Sequence, residues 1–291
     1  MSIHIALLSS HTKLSVYSAI VLWLCINVLS AWGVPASPAG GNYLKLDGID
    51  DYAILDFNTF GMLFEEGTSE LTVEAWVYPT SAPQEDERFI ILMQQVTFAI
   101  YNDPELREKM GWHESDLSLA MQILQAEGIS TPFRAMAISP YQWHHIAIQS
   151  GNGHEAWICD SLCLSKQGGI ASIENDLTWF VDKKAIPHQG FVVGGYGEEY
   201  PASFSGYIDE VRISTAPRYD VTNPVPIPQG KFEPDTDTIA LWHFDEPIGS
   251  RIFYDSSGSK YHLFAVNGAS LAVKAGNKLA GLWAEIKISG N

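Results

Sequence analysis

The chain is short of positive charge. Seventeen lysines and arginines stand against 34 aspartates and glutamates, which gives a formal net charge of −17 over 291 residues. A nucleic-acid groove needs a basic stripe to neutralise phosphates, and an anionic membrane surface requires the same attraction. Because the sequence contains no such stripe, its composition argues against both kinds of partner. The acids then serve solubility or bind cations.

Catalytic signatures are also missing from the sequence. It has no G-x-S-x-G elbow, no H-E-x-x-H motif and no G-x-x-x-x-G-K-[ST] phosphate loop. The nearest acidic clusters, at residues 85–87 and 235–237, lie in polar loops flanked by proline. The paired carboxylates of a jelly-roll glycosidase would instead share one strand face. His144 and His145 are adjacent, so on a strand they point to opposite faces and cannot chelate one metal together. The sequence predicts that the protein is not an enzyme.

Cysteine is scarce, with three residues in the whole chain. Cys25 lies in the apolar N-terminal segment, which leaves Cys159 and Cys163 in the phrase WICDSLCLSK. Export would permit a disulfide between these two. A two-residue turn at Asp160-Ser161 would place them on opposite faces of a hairpin, whereas a three-residue loop would place them close enough to bridge. Both geometries are open from the sequence.

Long apolar runs are rare, and the most prominent one lies near the N-terminus. The phrase VYSAIVLWLCINVLSA, residues 16–31, follows Lys13 and precedes small residues and prolines. At about 16 residues it is short for a membrane span of about 20, and its layout is typical of a secretory signal. The sequence predicts a signal peptide over residues 1–36, a secreted or cell-surface location and no stable span in the mature chain. A retained anchor is the alternative.

Four phrases carry the fold information: YLKLDGIDDYAIL (43–55), LTVEAWVYP (71–79), WHHIAIQ (143–149) and FSGYIDEVRIST (204–215). Each alternates in polarity or contains a turn, which is typical of β-strands. Many short strands separated by turn signals favour a sandwich. The phrase SDLSLAMQIL (115–124) has the propensity of a helix, but its alternation favours a strand. Asp103-Pro104 predicts the start of a short helix.

As a set, the LDG-x-DDY, EAW and IDEVRI motifs resemble the LamG-like domain of the concanavalin A-like lectin and glucanase superfamily. The resemblance covers residues 43–215. It implies an all-β, concanavalin A-like jelly-roll sandwich of two antiparallel sheets. It further implies a secreted, non-catalytic binding module for carbohydrate binding or adhesion, whose partner is a glycan or an extracellular protein. A protein–protein interaction or cell-surface scaffold is the alternative, and a glycoside hydrolase is the least favoured interpretation.

The predicted domain organisation follows from this resemblance. The jelly-roll domain covers residues 37–215, a proline-rich connector covers 216–238, and a C-terminal extension covers 239–291. The connector contains Pro217, Pro224, Pro226, Pro228 and Pro234, which disfavour a helix. Residues 239–263 resemble a segment that in many LamG-like domains precedes LDG-x-DDY. They either complete the same sandwich or open a truncated second copy. Because few residues follow, we expect the first, with a last strand at residues 279–288.

The resemblance also implies a structural Ca²⁺ ion. Related sandwiches hold one where the final strand meets the first, and the aspartate of a phrase similar to IDEVRI is a ligand in some of them. This carries over to Asp209, with Asp255 in the tail as a second predicted ligand. The alternative is that Asp209 and Glu210 pair with Arg212 or cap the turn. A further acidic turn comprises Asp47, Asp50 and Asp51. Calcium takes six to eight oxygen ligands, so such acids suit it.

The ligand site itself is not assigned by the sequence. Glu74 and Trp76 share a strand face, where an acid beside an aromatic ring could bind a sugar, but we expect them to pack. A site on loops is favoured, since loops carry the additions specific to this chain. The loop aromatics are Trp112, His113, Trp179, Phe180, Tyr196 and Tyr200.

Overall fold

The structure is a computed structural model that describes residues 36–85, 87–125, 128–129, 133–170, 173, 190–195, 203–221 and 223–273. Residues 1–35 of the predicted signal peptide lie outside these ranges, and so does the strand predicted at residues 279–288. Within the described part of the chain, no helix is long and apolar enough to cross a bilayer.

Seventeen strands and two short helices are present in the described ranges. The helices are α1 (Phe57–Phe60) and α2 (Pro104–Met110). The strands, in chain order, are β1 (Asn42–Asp47), β2 (Tyr52–Leu55), β3 (Leu71–Pro79), β4 (Arg88–Met93), β5 (Val96–Tyr101), β6 (Leu117–Gln125), β7 (Gly128–Ile129), β8 (Phe133–Ile138), β9 (His144–Gly151), β10 (His154–Cys159), β11 (Leu162–Gln167), β12 (Phe191–Val193), β13 (Ser205–Ser214), β14 (Thr238–Trp242), β15 (Ile252–Phe253), β16 (Leu263–Val266) and β17 (Ser270–Val273).

The strands form two antiparallel sheets, as expected for a jelly-roll sandwich. The eight-stranded sheet has the order β11-β10-β9-β3-β13-β1-β17, and β14 also pairs with β13. The nine-stranded sheet has the order β15-β16-β2-β12-β4-β5-β6-β7, and β8 also pairs with β6. Strands from the two ends of the chain are neighbours in both sheets, since β1 pairs with β17 and β2 pairs with β16.

Residues 239–273 of the tail supply strands to both sheets, as expected for a tail that packs on the same sandwich. Strand β14 extends the eight-stranded sheet beside β13, and β15 and β16 form one edge of the nine-stranded sheet. Trp242 of β14 is fully buried and stacks on Phe191 with 5.6 Å between ring centroids. Its indole nitrogen donates a 2.7 Å hydrogen bond to the carbonyl of Tyr261. The tail therefore supplies core residues as well as strands.

Strand β3 is buried on both faces. Its residues Leu71, Val73, Ala75 and Val77 belong to the main core between the two sheets. Because side chains alternate along a strand, Thr72, Glu74, Trp76 and Tyr78 point to the other face of the eight-stranded sheet, and all of them are buried too. Something must therefore cover the outer face of this sheet.

The connector (residues 216–238) provides that cover. Its apolar side chains pack in two clusters on the outer face of the eight-stranded sheet; they are Tyr219, Val221, Val225, Ile227 and Phe232. Its backbone is tied to the sheet because Val225 N donates to Ser161 O at 2.9 Å and Phe232 N donates to Glu210 Oε2 at 2.8 Å. Apart from Thr238, which begins β14, the described residues of the connector form no helix or strand, as its prolines predict.

Two local predictions can be compared directly with the structure. Residues 117–125 form strand β6 rather than a helix, so the alternation of apolar residues prevailed over helix propensity. Helix α2 begins as expected, with the Asp103 carboxylate accepting a 2.9 Å hydrogen bond from Leu106 N.

The cysteine hairpin adopts the two-residue turn. Cys159 lies opposite Leu162, and Cys163 lies opposite Ile158. The two thiols are therefore on opposite faces, Cys159 in the main core and Cys163 beneath the connector. Both are free and buried, so the disulfide that the sequence left open is not formed.

Candidate functional site

Asp209 lies at a bulge of β13, where the pairing with β3 shifts between Asp209 and Arg212. Its side chain is fully buried. Oδ1 accepts a 2.9 Å hydrogen bond from Glu210 N, whereas Oδ2 has no hydrogen-bond partner among the described residues. Burial raises the pKa of Asp209 well above its usual value, and the charges of Glu210 and Asp245 add to this, while the Ser37 hydroxyl partly opposes it.

The acids around Asp209 have cationic or donor partners of their own. Glu210 Oε1 lies 2.8 Å from His243 Nδ1. Asp245 accepts a 2.7 Å hydrogen bond from Asn42 N and forms an ion pair with Lys231. Asp209 and Glu210 of β13 and Asp245 of the segment after β14 thus add negative charge to one region of the structure. The sequence pattern pointed to Asp209 but not to Asp245, because the two residues belong to segments that only the fold brings near each other.

Asp255 has different surroundings. Its Oδ1 accepts hydrogen bonds from Leu241 N at 3.0 Å and Ser257 N at 2.8 Å, and its Oδ2 accepts from Ser257 Oγ at 2.8 Å and Tyr261 N at 3.1 Å. No hydrogen-bond partner is shared between Asp255 and Asp209. Both oxygens of Asp255 are thus engaged in holding the turn between β15 and β16 against β14.

The acidic turn before β2 is compact. Carboxylate oxygens of Asp47, Asp50 and Asp51 lie within 4.8 Å of one another. Asp47 Oδ1 accepts from Ile49 N at 2.8 Å, and Asp51 Oδ2 accepts from Asp47 N at 3.2 Å. Burial raises the pKa of Asp51, and the charge of Asp47 adds to the effect. These bonds give Asp47 and one oxygen of Asp51 a turn-forming role, while Oδ1 of Asp51 is buried without a hydrogen-bond partner among the described residues.

A buried polar cluster lies beneath the connector. Arg212 binds Glu74 Oε1 through Nε at 2.8 Å and Nη2 at 2.7 Å, so it pairs with neither Asp209 nor Glu210. The Tyr219 hydroxyl of the connector and His145 Nε2, at 3.1 Å, both bond Glu74 Oε2. Burial opposes ionisation of Glu74, but the His145 hydrogen bond and the Arg212 charge outweigh it and hold the pKa of Glu74 below its usual value.

This cluster makes one candidate ligand surface inaccessible, namely the strand face that carries Glu74 and Trp76. Trp76 is packed against Phe232 and Leu241, and Glu74 is fully buried. The Arg212 guanidinium lies 4.5 Å from the centroid of the Phe232 ring. Since the connector covers Glu74 and Trp76, a sugar has no access to this strand face in the folded protein.

An open cleft of about 450 Å³ lies at the end of β5. It is bounded by the loop before β4 on one side and by the start of α2 on the other. Its lining residues are Glu85, Glu87, Tyr101, Asn102, Asp103, Pro104 and Glu105. Four carboxylates, one amide and one phenol ring therefore line a single concave surface. Sequence alone indicated only loop acids at residues 85–87, because nothing local shows that they face residues 101–105.

Of the loop aromatics considered from the sequence, Trp112 is half-buried and His113 is exposed. The remaining four, at positions 179, 180, 196 and 200, lie outside the described residues. Two other aromatic side chains, Tyr254 and Phe264, are exposed by 55 % and 42 % near the edge of the nine-stranded sheet. The sequence analysis did not single them out.

Among solved structures, the fold is similar to that of a protein from Bacteroides ovatus to which carbohydrate binding is ascribed. The TM-score is 0.53 at 14 % identity, over 80 % of this chain and 60 % of that one. At this identity the likeness shows the fold alone. Lower similarity is found to mouse laminin α1 domains LG4-5 (TM-score 0.38, 13 % identity, 67 % and 48 % coverage). Domain 4 of a GH43 extracellular arabinanase from Geobacillus stearothermophilus is also similar (0.35, 17 %, 59 % and 69 %). No family model and no curated protein matches the chain.

The buried ion pair predicts a large effect of Glu74→Gln. The substitution leaves Arg212 without its charge partner, so we expect a loss of about 3–5 kcal/mol in the free energy of unfolding at neutral pH. Because the folded-state pKa of Glu74 is lowered, its stabilising contribution is present above the unfolded pKa of about 4.3 and is lost as the pH falls through the folded value. Urea denaturation between pH 7 and pH 3 measures both effects.

Glu66→Gln, at an exposed position, is the matched control and should change stability by less than about 0.5 kcal/mol. The interpretation fails if Glu74→Gln resembles this control, or if its stability depends on pH as strongly as that of the unsubstituted protein.

Proposed function

We propose that the chain is a non-catalytic carbohydrate-binding module of the LamG-like type that acts outside the cell or at its surface. The observation that carries the proposal is the cleft at the end of β5. It is concave, lies in loops at the rim of a rigid sandwich and offers several convergent polar groups, which is the usual form of a small-ligand site. The connector leaves the outer face of the eight-stranded sheet no such opening.

The chemistry of the cleft suits a sugar. The carboxylates can accept hydrogen bonds from sugar hydroxyl groups, and the Asn102 amide can both accept and donate them. Tyr101 is half-buried and offers an apolar ring with a polar tip against which a pyranose face can pack. The four carboxylates also favour ligands that carry an amino group or a cation, and disfavour acidic sugars. A neutral or amino-substituted glycan is therefore the proposed ligand class.

A protein-interaction scaffold is the second candidate, and one observation favours it. Tyr254 and Phe264 are exposed near the edge of the nine-stranded sheet, where the cross-strand partner of Phe264 is Ile252. Exposed apolar groups that lie together often mark protein contacts. This surface and the cleft belong to different parts of the fold, so substitutions can separate the two functions.

Tyr101→Ala tests the carbohydrate proposal. The unsubstituted protein should give hits on a glycan array, and titration calorimetry with a hit should show binding weakened about tenfold in Tyr101→Ala, since an aromatic contact contributes roughly 0.5–1.5 kcal/mol beyond its buried area. Tyr254→Ala is the control and should bind like the unsubstituted protein. Loss in Tyr254→Ala alone would place the ligand at the other surface. Release of new reducing ends from the bound glycan would contradict the non-catalytic assignment.

We further propose a structural calcium ion at Asp209. The proposal rests on Oδ2 of Asp209, a buried hard oxygen to which no described residue donates a hydrogen bond. The charges of Glu210 and Asp245 act on the same carboxylate, and the Ser37 hydroxyl faces it. Lys231 forms an ion pair with Asp245 and so partly balances the negative charge of these acids. A bound divalent ion would balance that charge more fully. Asp255 does not fit as a ligand, because its two oxygens already accept four hydrogen bonds.

Asp209→Asn tests this ion. With its raised pKa, Asp209 favours the protonated form in chelator, so its contribution to stability is present below the unfolded pKa and is lost as the pH rises through the folded value. Calcium binds the carboxylate and should restore stability above that pH. At calcium concentrations near 100 Kd we expect about 2.7 kcal/mol, or roughly 5–10 °C in Tm.

The calcium-dependent rise in Tm should be larger at pH 8 than at pH 6 and should be absent in Asp209→Asn. Asp50→Asn, in the exposed acidic turn, is the control and should keep the full response. A rise that survives in Asp209→Asn and disappears in Asp50→Asn would place the ion at the turn, and no rise in the unsubstituted protein would end the proposal.

A further inference from the structure

His144, Cys159 and Asp160 form a mixed-donor cluster that neither the cleft nor the Asp209 site uses. A ring nitrogen of His144, the sulfur of Cys159 and a carboxylate oxygen of Asp160 lie within 4.8 Å of one another. We propose that these three side chains bind a borderline divalent cation of the Zn²⁺ type. Nitrogen, sulfur and carboxylate oxygen are the donors that Zn²⁺ and Co²⁺ take, whereas Ca²⁺ and Mg²⁺ prefer oxygen alone.

The backbone brings the three donors together without help from a metal. His144 is the first residue of β9 and Cys159 the last residue of β10, and the two strands are antiparallel neighbours. Asp160 begins the hairpin turn in a left-handed conformation, with φ of 52°. Its N–H donates to His145 O at 2.7 Å, and its Oδ1 accepts from His145 N at 3.0 Å. Two hydrogen bonds between Asp160 and His145 therefore hold the turn against β9.

The contacts of His144 resemble those of a metal-ligating histidine. Its Nε2 lies 2.8 Å from the carbonyl oxygen of Ser139, and its Nδ1 lies 2.7 Å from Asp160 Oδ2. Histidine ligands usually donate the N–H that does not face the metal to a carbonyl or carboxylate, which orients the ring. Here the carbonyl oxygen of Ser139 accepts the Nε2–H of His144, so Nδ1 is the nitrogen that faces the ion.

The cluster needs only a small movement to hold the ion. Donor atoms of a tetrahedral zinc site lie roughly 3.3–3.8 Å apart, given metal–donor distances near 2.0–2.3 Å. His144 Nδ1 and Asp160 Oδ2 must therefore separate by about 0.6 Å. The Asp160 side chain is 37 % exposed, which gives an ion access from solvent and leaves room for water as a fourth ligand. His144 and Cys159 are buried and form the closed side of the site.

Binding of a metal ion to this cluster releases a proton, so its affinity depends on pH. In the metal-free protein, burial raises the pKa of the Cys159 thiol and the Asp160 charge adds to the effect, so the sulfur carries its proton. A divalent ion that binds the sulfur as thiolate replaces that proton, which is released to solvent. Affinity should therefore increase with pH. The 3.7 Å contact from Cys159 Sγ to Ala137 O is weak and is lost at little cost.

Cobalt titration of the metal-free full chain tests the proposal, because a Co²⁺–thiolate bond gives a near-ultraviolet charge-transfer band. We expect this band in the unsubstituted protein, its loss on addition of Zn²⁺, and its absence in Cys159→Ser. Cys163→Ser and Cys25→Ser are matched controls and should keep it, since Cys163 lies on the opposite face of the hairpin. Cys163→Ser losing the band, or Cys159→Ser keeping it, would overturn the assignment.

Asp160→Asn supplies a second variant that keeps an Oδ1 acceptor for His145 N and hence the turn. We expect it to fold, with its affinity for Co²⁺ reduced by more than about tenfold. Zn²⁺ should raise the Tm of the unsubstituted protein at pH 8 more than at pH 6.5, and should raise that of Asp160→Asn far less. Absence of any cobalt band in the unsubstituted protein, or equal responses of the two proteins to Zn²⁺, would refute the site.

Discussion

The carboxylate of Glu74 is ionised in the interior of the protein, and this condition depends on the connector. Glu74 is held by Arg212 from β13, His145 from β9 and Tyr219 from the connector. A buried charge without such partners would cost several kcal/mol. Around it, Val225, Ile227 and Phe232 cover apolar residues of the eight-stranded sheet. The hydrogen bonds to Glu74 and the apolar contacts of the connector therefore depend on each other. Both depend on residues that follow the IDEVRI strand in sequence.

The position of the connector also decides where a ligand can bind. In a sandwich with one sheet face covered, loops at the rim remain the places where polar groups converge. The cleft at the end of β5 is such a place, and it draws residues from the loop before β4 and from the start of α2. The carboxylates of Asp209, Glu210 and Asp245 instead have a structural role, because their hydrogen bonds connect β13, the start of β1 and the segment after β14. The proposed ligand site and the proposed cation site thus lie in separate parts of the fold.

Local pattern was sufficient to predict strands β1, β2, β3, β6, β9 and β13 and a sandwich. The alternation in residues 117–125 identified β6, and the Asp103 cap identified α2, because both signals lie within one element. The charged neighbours of Asp209 were not predictable in this way. Asp245 is 36 residues away in sequence, and its charge acts on Asp209 because the tail returns to the sheet. Asp255 was chosen for its residue type in a suggestive turn, and the structure uses its oxygens to hold that turn.

The same limit applies to the faces of the eight-stranded sheet. Glu74 and Trp76 were expected to pack, and both are buried. Their alternation with apolar residues, which is also typical of a strand with one solvated face, does not show what covers them. Proline content predicted that the connector is extended but not where it lies. Its position depends on Tyr219 and Phe232 meeting Glu74, Arg212 and Trp76, and these contacts are between residues far apart in the chain.

Native-state hydrogen exchange measured by mass spectrometry tests most directly whether the connector is an integral part of the sandwich. The amides of Val225 and Phe232 donate to Ser161 and Glu210, so we expect them to exchange only through global unfolding. Their opening free energies should match those of peptides from β3 and β9. Connector amides that exchange several kcal/mol more readily than β3, in a protein whose sheets stay protected, would show that the cover opens on its own and would contradict this account.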